Sequence, residues 1–130
     1  MATIITAEPQ LFVRDIDSAA EFYAHKLGFT LAFSYGEPSF YGQVRRDGAR
    51  LNLRRVDAPV IDPHRRDTEQ LLAASIALED ATSLFREYES AGVQFVQTLR
   101  HEPWGAHTFV IRDPDGNLLL FAGRDDDAKL

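Results

Sequence analysis

The feature that most constrains this chain is a repeat, because the same landmarks occur twice in 130 residues. Four landmarks recur with offsets of 65, 65, 64 and 68 residues: Asp15 and Asp80, Tyr23 and Tyr88, Gly28 and Gly92, and Asp47-Gly48 and Asp115-Gly116. This period is too long for the unit of a solenoid. Each half is also too short to bury a stable core by itself. We therefore predict two similar halves that share one hydrophobic core.

The order of predicted elements is the same in both halves, which gives the fold class. In the first half, alternating and helical patterns predict a strand, a helix and three strands, at 9–14, 17–26, 29–35, 40–46 and 49–55. In the second half they predict the same order at 71–78, 79–92, 93–99, 108–112 and 117–122. Either Asp17 or Ser18 can cap the first helix. We predict an α+β fold in a single domain, 1–130, made of two βαβββ modules at 9–55 and 71–124 with a polar linker at 56–70.

The last hairpin carries the strongest local signal. In Asp113-Pro114-Asp115-Gly116, proline presets φ at the second position and glycine accepts positive φ without steric cost. The flanking runs are rich in Val, Ile, Leu and Phe, as strands should be. The only tryptophan, Trp104, comes just before this hairpin, where a large ring can either cap the sheet or face a ligand.

Composition limits the function classes. The net charge of −6 disfavours nucleic-acid binding and favours, weakly, a cationic ligand. No apolar run approaches the ~18 residues of a membrane span, and the N-terminus has no signal-peptide pattern. The absence of cysteine excludes disulfides and fits a cytoplasmic protein. We expect residues 124–130 to be a frayed, solvated tail.

Two segments carry a resemblance to a known family. They are the run from Val13 to Tyr23 with Leu27-Gly28-Phe29, and Asp113-Pro114-Asp115-Gly116-Asn117. Together with the two βαβββ halves, they resemble the vicinal oxygen chelate superfamily, which includes glyoxalase I, extradiol dioxygenases and bleomycin-resistance proteins. The resemblance spans nearly the whole chain. It implies an open, cup-shaped mixed sheet that holds a ligand, and a homodimer, with or without swapped elements.

The metal positions of the superfamily are not matched. The resemblance puts them near Glu8, Asn52, Ala73 and Leu120. Alanine and leucine have no donor atoms, and a Glu with a neutral amide binds a divalent ion weakly. We therefore expect no metal and no cofactor, and no glyoxalase or dioxygenase chemistry. The alternative is a metal-dependent lyase, isomerase or dioxygenase with non-standard ligands.

The run Glu102-Pro103-Trp104-Gly105, with Phe109 and Arg112, resembles the bleomycin-resistance branch, which is metal-free and sequesters a drug. This implies a cytoplasmic protein that binds a planar aromatic or cationic natural product, bleomycin-like, without turnover. Candidate ligand-binding residues are Phe33, Phe40, Trp104, Glu8, Asn52 and His107. Phe33 and Phe40 would form two aromatic plates, although core or dimer packing explains either ring equally well. A ligand-sensing module is a further alternative.

Overall fold

The computed structural model describes residues 1–124, so nearly all of the predicted tail at 124–130 falls outside the described residues. The elements are β1 (Gln10–Val13), α1 (Ile16–His25), β2 (Thr30–Gly36), β3 (Ser39–Arg46), β4 (Ala49–Arg55), α2 (Pro63–Thr68), β5 (Leu72–Leu78), α3 (Ala81–Ser90), β6 (Phe95–His101), β7 (Ala106–Arg112) and β8 (Leu118–Arg124). They form two four-stranded sheets, ordered β1-β4-β3-β2 and β5-β8-β7-β6, which we call the first and second sheets. The predicted α+β fold class is confirmed.

Each sheet is mixed, because its first strand pairs in parallel and its hairpins pair antiparallel. β1 lies parallel to β4, and β5 lies parallel to β8. In each half the helix joins the parallel strand to the hairpins. The order of elements is thus the same twice, as the repeat predicts.

The cap of the first helix differs from the prediction. Asp15, with φ −146°, is the N-cap of α1, and its carboxylate accepts a bond of 2.7 Å from the Ser18 amide. Asp80 caps α3 in the same way through the Ser83 amide, at 3.0 Å. The predicted cap, Asp17 or Ser18, is wrong, because Ile16 is already the first helical residue and is fully buried. The matched pair Asp15 and Asp80 is therefore a pair of equivalent helix caps.

Two further elements differ from the sequence-based assignment. The linker contains the short helix α2, which begins at Pro63, where the missing N–H of proline has no cost. The β6–β7 hairpin is longer than predicted, since β6 extends to His101 and β7 begins at Ala106. Trp104 consequently lies in the loop of this hairpin.

The two halves share one core between their inner faces. Leu11, Val44 and Leu53 of the first sheet belong to the same buried cluster as Phe109 and Phe121 of the second. The buried residues of both helices, including Tyr23 and Tyr88, belong to it as well. Side chains alternate between the faces of a strand, so the other face of each sheet points away from this core. No helix in residues 1–124 is long and apolar enough to cross a membrane.

Candidate functional site

The outer face of the first sheet is where the candidate residues gather. Val44 of β3 and Leu51 and Leu53 of β4 point into the core. Because side chains alternate along a strand, the residues next to each of them point outward. Gln43 lies opposite Asn52 across the β3–β4 pair. We call this outer surface the open face and define it by Phe33, Tyr35, Tyr41, Gln43, Arg45, Arg50, Asn52 and Arg54.

A polar cluster occupies the centre of the open face. The Gln43 Nε2 atom donates to Asn52 Oδ1 at 2.7 Å and to Glu8 Oε1 at 3.0 Å. Asn52 Nδ2 donates to the same Glu8 oxygen at 3.3 Å. Gln43 and Asn52 are only 3% and 5% exposed. Buried polar groups are stable only when they are hydrogen-bonded, and here Asn52 accepts from Gln43 while Glu8 accepts from both amides.

Two arginines flank this cluster. Arg45 Nε donates to Gln43 Oε1, and Arg50 Nη1 lies 3.8 Å from Glu8 Oε2. The orientations of the Gln43 and Asn52 side-chain amides are thus fixed by Glu8 and, for Gln43, by Arg45. Gln43 was missed by the sequence analysis, although the period-2 alternation of β3 signals a polar residue on the outer face.

The four positions that the superfamily uses for a metal do not fit one in this chain. Glu8 is engaged by Gln43, Asn52 and Arg50. Leu120 of β8, opposite Val110, has no donor atom. Within residues 1–124, no group of three His, Cys, Asp or Glu side chains is arranged to hold a metal ion. The donor atoms at these four positions are therefore too few for the superfamily's metal.

Aromatic rings form one edge of the open face. Phe33 lies opposite Gln43, and its ring centroid is 5.5 Å from that of Tyr35 and 6.1 Å from that of Tyr41. Tyr35 is 61% exposed. Rings at these distances attract one another and offer further surface for stacking. Both tyrosines were missed by the sequence analysis.

The predicted pair of plates, Phe33 and Phe40, is interrupted by an irregularity in the pairing of β2 with β3. Phe40 is the extra residue of a β-bulge in β3. Between the Tyr35–Tyr41 and Gly36–Ser39 pairs, β2 advances by one residue and β3 by two. Its ring is 53% exposed and occupies the space that a side chain at Gly36 would need. No ring contact joins Phe33 and Phe40 among the described residues. Whether Phe40 contacts a ligand stays a prediction.

Trp104 and His107 belong to the other sheet. Trp104 is 73% exposed in the β6–β7 loop. Backbone bonds from the Glu102 amide to Ala106 O, at 2.7 Å, and from the Gly105 amide to Glu102 O, at 3.0 Å, hold this loop. His107 lies opposite His101, with ring centroids 5.2 Å apart. The loop therefore presents a large ring on a defined base.

The base of that loop contains a buried carboxylate. Glu102 is 6% exposed and accepts bonds from Arg100 Nε at 2.5 Å and Thr108 Oγ1 at 3.1 Å. The bond from Arg100, with further help from Thr108, holds the pKa of Glu102 below its ordinary value. Glu102 is thus an ionised anchor for the loop.

The six predicted site residues fall into two groups. Glu8, Asn52 and Phe33 lie together on the first sheet, with Phe40 at its end. Trp104 and His107 lie on the β6–β7 hairpin of the second sheet. The two groups therefore lie on different sheets, and His107 shares the face of β7 that holds the core residues Phe109 and Ile111.

A cavity of about 970 Å³ lies between the halves and shares Glu8 and Arg50 with the open face. Its lining includes Glu8, Arg46 and Leu51 of the first half and Leu84, Tyr88 and Phe121 of the second. A volume of this order accommodates a drug-sized ligand. Of the predicted site residues, only Glu8 lies in it.

Solved structures with the same fold include bleomycin-binding proteins. A bleomycin-binding protein complexed with bleomycin is 25% identical, has a TM-score of 0.73, and the match covers 94% of this chain and 100% of that chain. A bleomycin resistance determinant encoded on the transposon Tn5 is 25% identical, with a TM-score of 0.71 and coverages of 93% and 98%. The bleomycin-binding protein from Streptomyces verticillus, complexed with copper(II)-bleomycin, is 24% identical, with a TM-score of 0.72 and coverages of 96% and 100%, which shows the fold.

A search of curated protein sequences gave no match. A sequence profile of the Glyoxalase/Bleomycin resistance protein/Dioxygenase superfamily matches residues 5–121, nearly the whole chain. The resemblance found in the sequence is thereby confirmed, and the structural neighbours support its bleomycin-resistance-like branch. The chain therefore belongs to the glyoxalase/bleomycin resistance protein/dioxygenase superfamily.

Proposed function

We propose that this protein binds a planar aromatic natural product and sequesters it in the cytoplasm, without changing it chemically. The observation that carries the proposal is the open face, where the Phe33, Tyr35 and Tyr41 rings adjoin the fixed amides of Gln43 and Asn52. A flat ligand stacks on the rings, and the amides orient its polar edge. Similar proteins of known structure bind bleomycin, which supports a role of the antibiotic-resistance type.

We further propose that the ligand groove is completed by a second copy of the chain. The open face of one protomer and the Trp104 hairpin of its partner would then face each other across a homodimer. The location of the two groups on different sheets and the 73% exposure of Trp104 support this arrangement, as do Ile4 and Ile5, which are 90% and 91% exposed in the single chain. Exposed apolar side chains close together are common at interfaces between subunits.

The test is binding without turnover, measured on untagged protein. Planar aromatic compounds and bleomycin are titrated by calorimetry, and the recovered compound is analysed by mass spectrometry. We expect an unchanged compound and saturable binding with two sites per dimer, in samples whose mass is measured by sedimentation. Phe33→Ala, Phe40→Ala and Trp104→Ala should each weaken binding by about tenfold or more.

A matched control separates the open face from the inter-half cavity. Leu84→Phe narrows that cavity and leaves the open face intact, so we expect wild-type affinity. Weaker binding by Leu84→Phe with unchanged binding by the three ring variants would overturn the site assignment. Conversion of the compound, or stoichiometric metal in the purified protein, would overturn the sequestering function in favour of a metal-dependent enzyme.

A further inference from the structure

The open face carries three arginines, Arg45, Arg50 and Arg54. Arg45 and Arg50 lie directly opposite each other in the β3–β4 pair, and Arg54 lies opposite Tyr41. Arg54 follows Asn52 by two residues, so both point to the same side. Like charges directly opposite each other destabilise a sheet, so this arrangement costs stability unless an anion is present.

The acidic side chains on this face do not balance the three cations. Among the described residues, Glu8 is the carboxylate that pairs with one of them, 3.8 Å from Arg50, and its other oxygen already accepts two amide bonds. Arg45 Nε is directed to the neutral oxygen of Gln43. Arg54 is exposed and has no hydrogen bond or ion pair with any of the described residues. Counting residues 1–124 alone, one carboxylate against three guanidinium groups leaves a surplus of two positive charges on this face.

This surplus contrasts with the rest of the molecule and with the second sheet. The whole chain has a net charge of −6. This charge favours a cationic ligand only if the charged side chains of the protein are distributed evenly over its surface. In the second sheet, the pair that matches Arg45 and Arg50 is Arg112 and Leu118, where the single arginine lies 3.2 Å from the Asp67 carboxylate. The positive surface is thus a local feature of the open face, and it disfavours a cationic ligand there.

Arg54 also adjoins the aromatic rings. It lies opposite Tyr41, whose ring centroid is 6.1 Å from that of Phe33, and opposite Phe12 on its other side. A planar ligand stacked on Phe33 and Tyr41 therefore brings its edge close to the Arg54 guanidinium. The guanidinium fork matches the two oxygens of a carboxylate.

We propose, on the basis of the proposed binding function, that the ligand is a planar aromatic acid whose carboxylate pairs with Arg54, supported by Arg45 and Arg50. The ring stacks on Phe33 and Tyr41, and the Gln43 and Asn52 amides lie beneath it. This ligand differs in charge from the cationic one that the net charge of the chain favours.

The experiment compares probes that differ only in charge. Naphthoate, naphthamide and naphthylmethylammonium are titrated by calorimetry against the full chain, and the same three groups are then tested on quinoline and anthracene. We expect each carboxylate to bind about tenfold or more tightly than its amide, and the ammonium compounds to bind most weakly. In Arg54→Gln the carboxylate should lose this advantage, while the amide keeps its affinity.

Arg55→Gln is the matched control. Arg55 is the next residue in β4, pairs with Asp57 at 2.9 Å, and its replacement changes the net charge equally. We expect wild-type affinity for all probes, and unchanged melting temperatures for both variants show that they fold.

Two results have different meanings. If amides or ammonium compounds bind as well as the carboxylates, or if Arg54→Gln and Arg55→Gln lose carboxylate affinity equally, the proposal of an acidic ligand is wrong. The proposed binding function is unaffected by either result. If no probe on any ring binds, and bleomycin does not bind either, the proposed function itself is overturned.

Discussion

The Tyr23 hydroxyl donates a hydrogen bond of 2.8 Å to the Oδ2 atom of Asp113, joining α1 of the first half to the last hairpin of the second. Asp113 in turn accepts bonds from the Asp115 and Asn117 amides, both at 2.9 Å, and thereby shapes its own turn. Tyr88, the counterpart of Tyr23 in the repeat, also crosses between halves, since its hydroxyl donates to the Leu27 carbonyl at 2.8 Å. The two repeated tyrosines thus connect the halves reciprocally.

We expect Tyr23→Phe to destabilise the protein more than Tyr88→Phe. Tyr23 bonds a carboxyl group, and bonds to charged acceptors contribute about 1.5–3 kcal/mol, against about 0.5–1.5 kcal/mol for neutral ones. After Tyr88→Phe the Leu27 carbonyl also keeps its bond of 2.8 Å from Arg46 Nη1. Equilibrium unfolding in urea measures both costs. Tyr35→Phe, at an exposed ring, should change stability by less than about 0.5 kcal/mol. Equal costs for Tyr23→Phe and Tyr88→Phe would contradict this reading.

The same tyrosines predict a loss of stability at alkaline pH. Burial, reinforced by the charge of Asp113, raises the pKa of Tyr23 well above its ordinary value, and burial also raises the pKa of Tyr88. In the unfolded chain, tyrosine loses its proton at about pH 10. Above that pH the unfolded state binds fewer protons than the folded state, so the free energy of unfolding falls as pH rises.

Urea unfolding at a series of alkaline pH values tests this. Each tyrosine contributes a slope of up to about 1.4 kcal/mol per pH unit, and Tyr23→Phe should make the decline shallower. Samples returned to neutral pH must regain full stability, so that chemical damage is excluded. A wild-type stability that stays constant above the ordinary tyrosine pKa would refute the burial-driven shift.

The fold was predictable because its signals are local and repeated. Period-2 alternation and the turns at Asp47-Gly48 and Asp113–Gly116 fix the hairpins, and the matching offsets fix the two halves. The local pattern does not select the cap of α1, because Asp15, Asp17 and Ser18 all suit an N-cap by residue type. Burial of Ile16 in the shared core selects Asp15, and this tertiary contact is invisible in the local pattern.

The site was predictable only in part, because it depends on pairing between strands. Resemblance to the superfamily placed Glu8 and Asn52 in the cup, and they do contact each other. Register shifts at Ala32 and Phe40 change which residues share a face, so strand alternation alone does not place the Phe33 and Phe40 rings relative to each other. Such shifts leave no mark on composition or spacing. The arginine surplus likewise appears only when the β3–β4 register is known.

Trp104 provides an optical test of the ligand groove, since it is the only tryptophan. Its ring is 73% exposed, so we expect emission typical of a solvated indole and a saturable change when an aromatic ligand binds. In Phe33→Ala the unliganded spectrum should be unchanged, while the midpoint moves to about tenfold higher ligand concentration. An emission that does not respond to a ligand bound by calorimetry would remove Trp104 from the site.

Chelation is expected to have no effect. Ala73 and Leu120 have no donor atoms at positions where the superfamily holds a metal, and Glu8 is engaged by amides. We therefore expect EDTA to leave both the melting temperature and the ligand affinity unchanged. A ligand that binds only the native state raises the melting temperature, so the same assay reports both effects. Destabilisation by EDTA, with a stoichiometric metal in elemental analysis, would favour the enzymatic alternative.

Glu8→Gln is expected to increase the affinity for an aromatic acid. The Gln side chain keeps an oxygen for the Gln43 and Asn52 amides, while the negative charge 3.8 Å from Arg50 is removed. Because the pair is partly solvated, its charge contributes only about 0–1 kcal/mol. We therefore expect naphthoate to bind about two- to fivefold more tightly, with naphthamide unchanged and stability within about 0.5 kcal/mol of wild type. Glu89→Gln on α3 makes the same charge change away from the open face and should leave both affinities as they are. Weaker binding of naphthoate by Glu8→Gln would contradict this prediction. It would mean that Glu8 contacts the ligand directly and that the arginines do not hold the carboxylate of the ligand.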